Sequence, residues 1–406
     1  MNTSRRRFVK KTCRAERTWQ SVWSFPFFVN LQGDLLVKKH TLGILTGLGL
    51  AVSGIAHAQS SVTLYGIIDE AVRYDTHQNK SGGKLFTMGS GGEIQGSRWG
   101  LQGTEDLGGG LSAIFQLEGG FTPNTGVTQQ STPSGTARLF GRTALVGLSS
   151  TSYGTLTMGR QYTLVHEMGW THDIYAFANY TGTVGFQGAG LTGGGRLDNS
   201  VRYTSPTLAG FTLKGSYTFG GVAGNTHQNS SPAVSLSYDH GPLSVGAAYQ
   251  IVNDIGGLTP ATSTYGSTYF GVTIPDSSQK IFTAGATYKF GAAKVFGSYI
   301  YSHVYPADYR NDSFSTAVQY FITPGLVLDL PFYIDFVHHA GQSGTRITTG
   351  PTFDYFLSKR TDVYVGVDYN HLTGAWTTLA AASGSNQPFY GFNSLFEATI
   401  GLRHKF

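Results

Sequence analysis

The chain has 406 residues, of which 56 are glycine, 26 are phenylalanine and 23 are tyrosine, whereas only 13% are charged. This composition is typical of many strands and turns rather than of helices. The single cysteine, Cys13, excludes an intrachain disulfide and a zinc site built from cysteines.

The formal net charge of +5 comes from the N-terminal segment. Residues 1–58 hold nine of the 28 basic residues and two of the 23 acidic ones, which leaves 19 and 21 for residues 59–406 and a net charge of −2. The basic balance therefore gives no reason to expect a nucleic-acid partner.

Residues 1–58 have the pattern of a leader with a Sec-type signal peptide. Two lysines precede a short apolar run over 41–52, and Ala56-His57-Ala58 is a small-x-small cleavage site before Gln59. The apolar run is too short to span a membrane as a helix. We predict cleavage between Ala58 and Gln59, and we interpret residues 1–35 as a mis-assigned start or a removed extension.

Sixteen candidate strands follow the leader, and several of them alternate cleanly between apolar and polar residues with a period of two, the pattern of strands whose two faces meet different media. In one of them, Phe282, Ala284 and Ala286 alternate with Thr283 and Gly285. The predicted strands span residues 61–75, 94–105, 111–121, 138–149, 154–162, 198–205, 210–219, 232–240, 242–252, 279–290, 293–303, 312–322, 325–337, 345–357, 361–372 and 394–406.

Short connections alternate with long ones along this series. The long ones lie near residues 76–93, 122–137, 163–197, 220–231, 253–278, 304–311, 338–344 and 373–393. Short turns at one rim and long loops at the other are typical of a transmembrane barrel, and the alternative fold, a soluble β-sandwich or propeller, does not predict them. No apolar run of 18 residues follows Ala58, so we expect no transmembrane helix.

The last segment of the chain is itself an alternating strand that ends in Phe406. Its even positions are mostly apolar and its odd positions are mostly polar or charged. Lipid cannot satisfy an open sheet edge, so a barrel in a membrane needs this strand to be paired. We therefore predict an all-β fold, a 16-stranded antiparallel transmembrane β-barrel with short periplasmic turns and long external loops over residues 59–406.

Seven segments carry a family resemblance. They are residues 61–66, 97–111 (Ser-Arg-Trp-Gly-Leu-Gln-Gly-Thr-Glu-Asp-Leu-Gly-Gly-Gly-Leu), 140–148, 154–161, 198–206, 357–364 and 401–406. In this order they resemble the trimeric general porins of Gram-negative outer membranes, in particular their β-proteobacterial branch. The resemblance implies a homotrimer in contact with outer-membrane lipid and lipopolysaccharide, and a water-filled channel for passive diffusion of small hydrophilic solutes and ions.

The resemblance also implies where the pore is narrowest. In that family the third external loop, here about residues 162–195, folds back into the lumen and faces arginines of the barrel wall. The arginines at matching positions are Arg98, Arg142 and Arg196, with Arg138 and Arg160 as second-rank candidates. The acids expected in the same constriction are Glu118, Glu167 and Asp173. The terminal Phe406 matches the aromatic residue that serves this family as an assembly signal.

The alternation of the strands supports part of this site independently. If Trp99 faces lipid, then Arg98 faces the lumen, and the same reasoning places Glu118 inward from Leu117. We also predict that Leu145 faces lipid, which would turn Arg142 inward.

The third loop departs from the family pattern because it has few acids and many glycines between Arg160 and Arg196. We therefore expect an anion preference. Each loop acid follows a histidine, and we expect His166 and His172 to add positive charge below about pH 6.5, which would strengthen the preference toward pH 5.

Two other functions stay open at this point, a substrate-specific channel of the same architecture and an outer-membrane barrel enzyme. The sequence offers no serine elbow, phosphate-binding loop or combination of nucleophile and base that would define a catalytic site. His166-Glu167-Met168-Gly169-Trp170 begins like a zinc-protease helix but lacks the second histidine. We predict no catalytic residues, no metal site and no cofactor.

Overall fold

A computed structural model describes residues 61–89, 94–131, 136–176, 195–254, 278–305, 308–382 and 390–406. The leader, with the predicted cleavage site at Ala58 and Gln59, lies outside the described residues, so the start of the mature chain stays a prediction. The glycine-rich part of the third loop also lies outside them, apart from Gly195.

The described chain forms one antiparallel sheet of 18 strand segments that closes on itself. The segments are β1 Ser61–Asp75, β2 Leu85–Met88, β3 Arg98–Gly108, β4 Leu111–Gly120, β5 Thr143–Ser150, β6 Gly154–Tyr162, β7 Arg196–Thr204, β8 Phe211–Thr218, β9 Ser231–His240, β10 Leu243–Asn253, β11 Ser278–Phe290, β12 Ala293–Tyr305, β13 Tyr309–Thr323, β14 Leu326–His339, β15 Gln342–Thr349, β16 Thr352–Phe356, β17 Thr361–Leu372 and β18 Ser394–Lys405.

These segments make sixteen barrel strands, which confirms the predicted fold class. β2 and β3 both pair with β1, at its external and periplasmic ends, so together they form one interrupted strand. β15 and β16 form a second interrupted strand between β14 and β17. β1 pairs with β18 from Ile67–Lys405 to Asp75–Glu397, and this pairing closes the ring.

The two faces of the sheet have opposite chemistry, as the period of two predicted. Val62 and Ile400, on the outer face, are 65% and 63% exposed. Polar and charged residues such as Asp69, Thr283 and Arg403 are buried on the inner face. A sheet of this kind is stable in a bilayer, where the outer face meets hydrocarbon and the inner face meets water or other polar groups.

Two helices interrupt the strands, α1 at Leu164–Thr171 and α2 at Ala375–Ala382. α1 begins where the Thr163 side chain accepts a hydrogen bond from the backbone N–H of His166, at 3.3 Å. A hydroxyl in this position satisfies one of the free N–H groups at a helix start. Within the described ranges, no helix has the length and apolar character needed to cross a membrane.

Candidate pore-lining site

α1 lies inside the barrel and packs against its wall. The helix contributes Leu164, Val165 and Met168 to a buried apolar cluster. The wall residues of this cluster are Ala248, Val252, Ile281, Ile300 and Tyr333. An apolar patch of wall therefore holds this part of the third loop in the lumen, in an inner face that is otherwise largely polar.

Two glycines make room for the helix. Gly246 of β10 and Gly285 of β11 are cross-strand partners on the inner face. A Cβ atom at Gly246 would lie 2.8 Å from the Met168 sulfur, and one at Gly285 would overlap the His172 side chain. Met168 and His172 are four residues apart and project from the same side of the segment. The glycine pair thus forms a shallow groove in which the loop lies close to the sheet.

The wall away from this groove carries a cluster built on Glu118 and Tyr162. Arg142 Nε donates to Glu118 Oε1 at 2.6 Å, and another nitrogen of its guanidinium donates to the Tyr162 hydroxyl at 2.8 Å. Arg196 also donates to that hydroxyl, and its guanidinium lies 4.1 Å from the centre of the Tyr162 ring. Tyr65 donates to the second Glu118 oxygen at 3.0 Å.

Arg98 belongs to the same cluster. It lies at the start of β3, two residues from Gly100, which pairs with Glu118. A Cβ atom at Gly100 would lie 2.7 Å from the Tyr65 hydroxyl, so the glycine lets the Tyr65 ring cross the strand toward Glu118. The structure thus brings Arg98, Arg142, Arg196 and Glu118 together, three positive charges and one negative charge.

Glu167, which the sequence places in the same constriction, pairs with other cations. Its carboxylate pairs with Arg202 at 2.8 Å and with Lys214, both on the adjoining strands β7 and β8. Burial raises the pKa of Glu167, but the charges of Lys214 and Arg202 outweigh that effect and lower the pKa to about 2. Glu167 therefore fastens α1 to the wall as an ion pair.

Asp173, the other loop acid predicted for the constriction, makes its hydrogen bonds at a different part of the wall. The side chain is buried, and its two oxygens accept hydrogen bonds from the Tyr333 hydroxyl at 2.8 Å and from the Tyr175 backbone N–H at 3.1 Å. Tyr175 in turn donates to the Thr352 hydroxyl at 2.9 Å. These bonds fix the end of the described loop to β14 and β16.

The two histidines do not behave as the sequence suggested. His166 stacks on Tyr162 at 5.4 Å between ring centres. Burial lowers the pKa of His166 to about 3, assisted by the positive charges of Arg196 and Arg142. Burial also lowers the pKa of His172. His166 therefore does not gain the positive charge that we expected near pH 6. At His172, burial works against the same gain of charge.

Arg142 points inward, but not because Leu145 faces lipid, as the sequence had indicated. Leu145 lies opposite Gln116, an inner-face residue that donates to Tyr65, whereas Val146 and Leu148 are the exposed residues of β5. Arg142 precedes the strand, so the alternation of β5 does not govern it. The second-rank candidates, Arg138 and Arg160, share a partner outside the Glu118 cluster, Asp198, at 2.7 Å each.

A second charged wall was missed by the sequence analysis. Arg403 pairs with Asp354 at 3.0 Å and with Asp362 at 2.9 Å, and Arg73 pairs with Asp75 at 3.1 Å and also with Glu397. Each of these residues lies at an inward position of an alternating strand. The parity of the alternation is the signal in the sequence that places these residues on the inner face.

The last long loop also enters the barrel. Trp376 of α2 is fully buried, and the Arg346 guanidinium lies 5.5 Å from the centre of its ring. A Cβ atom at Gly344 on the inner face of β15 would lie 2.9 Å from the Trp376 backbone nitrogen. α2 therefore seats against β15 from inside, toward the external end of the lumen.

A family model described as Gram-negative porin matches residues 45–375. The chain belongs to this family. It is an integral β-barrel of the outer membrane, as both its fold and its relatives indicate.

The curated relatives are named as outer-membrane porins. The chain is 35% identical to an outer membrane porin protein of Bordetella pertussis over 53% of its own length and 60% of that protein. It is 33% identical to outer membrane porin protein 32 of Delftia acidovorans over 61% of its own length and 66% of that protein. The alignments thus span about 60 to 66% of these relatives.

A solved structure shares the fold over nearly all of the barrel. The anion-selective porin from Comamonas acidovorans superposes with a TM-score of 0.66, covering 86% of this chain and 100% of that one at 23% identity. At this level of identity the match supports only a shared architecture.

Proposed function

We propose that the chain forms a water-filled channel through which small hydrophilic solutes and ions diffuse passively across the outer membrane. The observation that carries this proposal is the polar inner face of a closed barrel, narrowed by a helix from the third loop. Membership of the porin family supports a channel over a barrel enzyme, so we propose no catalytic activity.

We further propose that the channel prefers anions. The ion selectivity of a pore depends on the charge at its narrowest ring rather than on the total charge of the protein. Arg98, Arg142 and Arg196 share one carboxylate, Glu118, and so leave an excess of two positive charges on that part of the wall. This support is stronger than the sequence suggested, because the loop acids are bonded elsewhere.

Reversal potentials across a planar bilayer in a salt gradient test the preference. At pH 7 the wild type should show the sign of anion selectivity, and an Arg98→Gln, Arg142→Gln double variant should lose or reverse it. Arg360→Gln, at the exposed periplasmic rim, is the matched control and should leave selectivity unchanged. Cation preference in the wild type, or an unaltered potential in the double variant, would contradict the proposal.

We propose a homotrimer whose contact surface includes β5 and β6. The outward side chains there are aliphatic, with Val146 56% and Met158 48% exposed. The outer faces of β10 and β11 instead carry tyrosines such as Tyr249 and Tyr288, as lipid-facing girdles do.

Unheated samples should migrate as an oligomer on gels, and Val146→Arg should shift them to monomer, whereas Val318→Arg on the distant outer face should not. A wild type that is monomeric by native mass would overturn this assignment.

A further inference from the structure

The barrel wall has an inward excursion where β2 and β3 form one interrupted strand. β2 pairs with β1 as far as Met88–Val72, and β3 resumes the pairing at Arg98–Ile67. Four residues of β1 lie between these two pairs, whereas nine residues lie between them on the neighbouring strand. Surplus residues of this kind cannot stay in the ladder of hydrogen bonds. The chain therefore leaves the sheet, and residues 94–97 lie against the inner face of β1.

Asp69 of β1 anchors this segment to the wall. Its carboxylate accepts hydrogen bonds from the backbone N–H groups of Ile94 at 3.1 Å and Gln95 at 2.7 Å, and from the Tyr364 hydroxyl at 2.6 Å. The Ser97 hydroxyl accepts from the Asp69 backbone N–H at 2.9 Å and donates to the Asp69 carbonyl oxygen at 3.0 Å. Hydrogen bonds to a carboxylate are stronger than those between neutral groups, so the segment is held firmly in the lumen.

The anchored segment places Ile94 in a buried apolar cluster that joins distant parts of the wall. Ile94 shares this cluster with Ile174 and Tyr175, at the end of the described third loop. The wall residues of the cluster are Ala71 of β1, Phe296 of β12, Ala317 of β13 and Tyr364 of β17. We call these seven residues the apolar bridge. Five barrel strands separate β12 from β1 in the ring when β15 and β16 are counted as one, so the bridge sets the sector of β14 to β18 apart from the wall with the three arginines.

The sector behind the apolar bridge is acidic. Along their described lengths, the inner faces of β14 to β18 carry six acids and three basic residues. The acids are Asp329, Asp335, Asp354, Asp362, Asp368 and Glu397, and the basic residues are Arg346, Arg403 and Lys405. None of the six acids is more than 8% exposed. On β17, Asp362 and Asp368 lie on the periplasmic and external sides of Tyr364, so acids lie both below and above the bridge.

We propose that the apolar bridge closes this acidic sector to ions, and that Ile94 is therefore a selectivity-determining residue of the channel. The inference rests on the proposed channel function and its anion preference. The bridge presents hydrocarbon and aromatic rings, and apolar constrictions block ions by dewetting. Ions then pass this level of the lumen beside Arg98, Arg142 and Arg196, where the excess charge of the wall is positive. Ile94 acts by directing the path rather than by contact with the ion.

Conductance and selectivity in a planar bilayer test this role together. Ile94→Ser, which puts a hydroxyl into the bridge, should raise the single-channel conductance and reduce the anion preference, because a second path opens beside the acids. Ile94→Leu should retain both values. Val127→Ser, the same kind of change at an exposed residue of the second long loop, is the matched control and should also leave both unchanged. Wild-type conductance in Ile94→Ser, or a higher conductance with an unaltered reversal potential, would overturn the proposal.

Thiol labelling of the folded barrel tests the closure without a measurement of current. Ile94→Cys, in a Cys13→Ser background that removes the only native cysteine, should react slowly with a small charged thiol reagent. Lys289→Cys, at an exposed residue near the end of β11, should react fast in the same background. Addition of Asp69→Asn, which weakens the anchor, should speed the reaction of Ile94→Cys.

Heat-modifiable gel migration shows that each variant is folded, so a fast reaction cannot come from a misfolded barrel. Equal labelling rates of Ile94→Cys and Lys289→Cys would overturn the proposal, because the bridge would then be open to water. A wild type that conducts no ions would instead refute the proposed channel function, while the labelling rates still decide whether the bridge is closed.

Discussion

At the scale of single residues, the glycines of the inner wall decide how closely the third loop approaches. Gly285 has no room for a Cβ atom because His172 occupies that space. We expect Gly285→Ala to destabilise the seat of α1 by about 1 to 3 kcal/mol, as overpacking does. Limited proteolysis of the folded barrel should then cut the loop faster.

Gly215→Ala is the matched control for this change, because no atom lies within 4 Å of the position a Cβ would take there. If the two variants show the same rate of cleavage, the glycine groove does not hold the loop.

At the scale of the α1 element, the ion pair of Glu167 makes the packing of α1 against the barrel wall sensitive to acid. The pKa of Glu167 is about 2 in the fold and about 4.5 when it is free. A group with a lowered folded pKa stabilises the fold above its free pKa and loses that contribution as pH falls toward its folded pKa. His166, with a pKa near 3, acts in the same direction, because protonation favours the released state.

We therefore expect the third loop to loosen progressively as pH falls from about 6.5 to about 2, at first because a released His166 binds a proton and below about pH 4.5 also because Glu167 loses its charge. Single-channel recordings at steps of pH should show conductance fluctuations that grow over this range. Glu167→Gln should fluctuate already at pH 7. A conductance of the wild type that stays steady down to pH 3 would contradict this expectation.

The α2 element closes part of the external mouth. Trp376→Ala removes a fully buried side chain and the ring beside Arg346, at a cost of about 3 to 5 kcal/mol to the local packing. We expect α2 to leave β15 and the single-channel conductance to rise. Trp376→Phe, which keeps an aromatic ring, should stay near the wild type, and an unchanged conductance in Trp376→Ala would mean that α2 does not limit flow.

At the scale of the whole molecule, Phe406 extends the pairing of β18 with β1 that closes the ring. Phe406 exchanges two backbone hydrogen bonds of 3.1 Å with Gly66, and its ring covers that glycine. Deletion of Phe406, or Phe406→Asp, should cut the yield in the outer membrane sharply while synthesis continues. Phe406→Tyr should be tolerated. Normal amounts of the deletion variant in outer-membrane fractions would refute this expectation.

The sequence predicted the barrel well because every strand meets lipid on one face and the lumen on the other, which imposes a period of two along most of the chain. The same rule placed Arg98 and Glu118 correctly. It failed for Leu145, an apolar residue on the inner face, where apolarity no longer reports lipid contact. The alternation rule could not predict the bonding partners of the loop acids. Tyr333 lies 160 residues from Asp173, and their contact follows from packing rather than from spacing in the sequence.

The segment from Glu167 to Tyr175 is also a mechanical part of the barrel. One end is bonded to Arg202 on β7, and the other end is bonded to Tyr333 on β14 and Thr352 on β16. Because these bonds join β7 to β14 and β16 across the lumen, any change that moves these strands apart must first break them. The segment that narrows the lumen therefore also couples separate parts of the barrel wall.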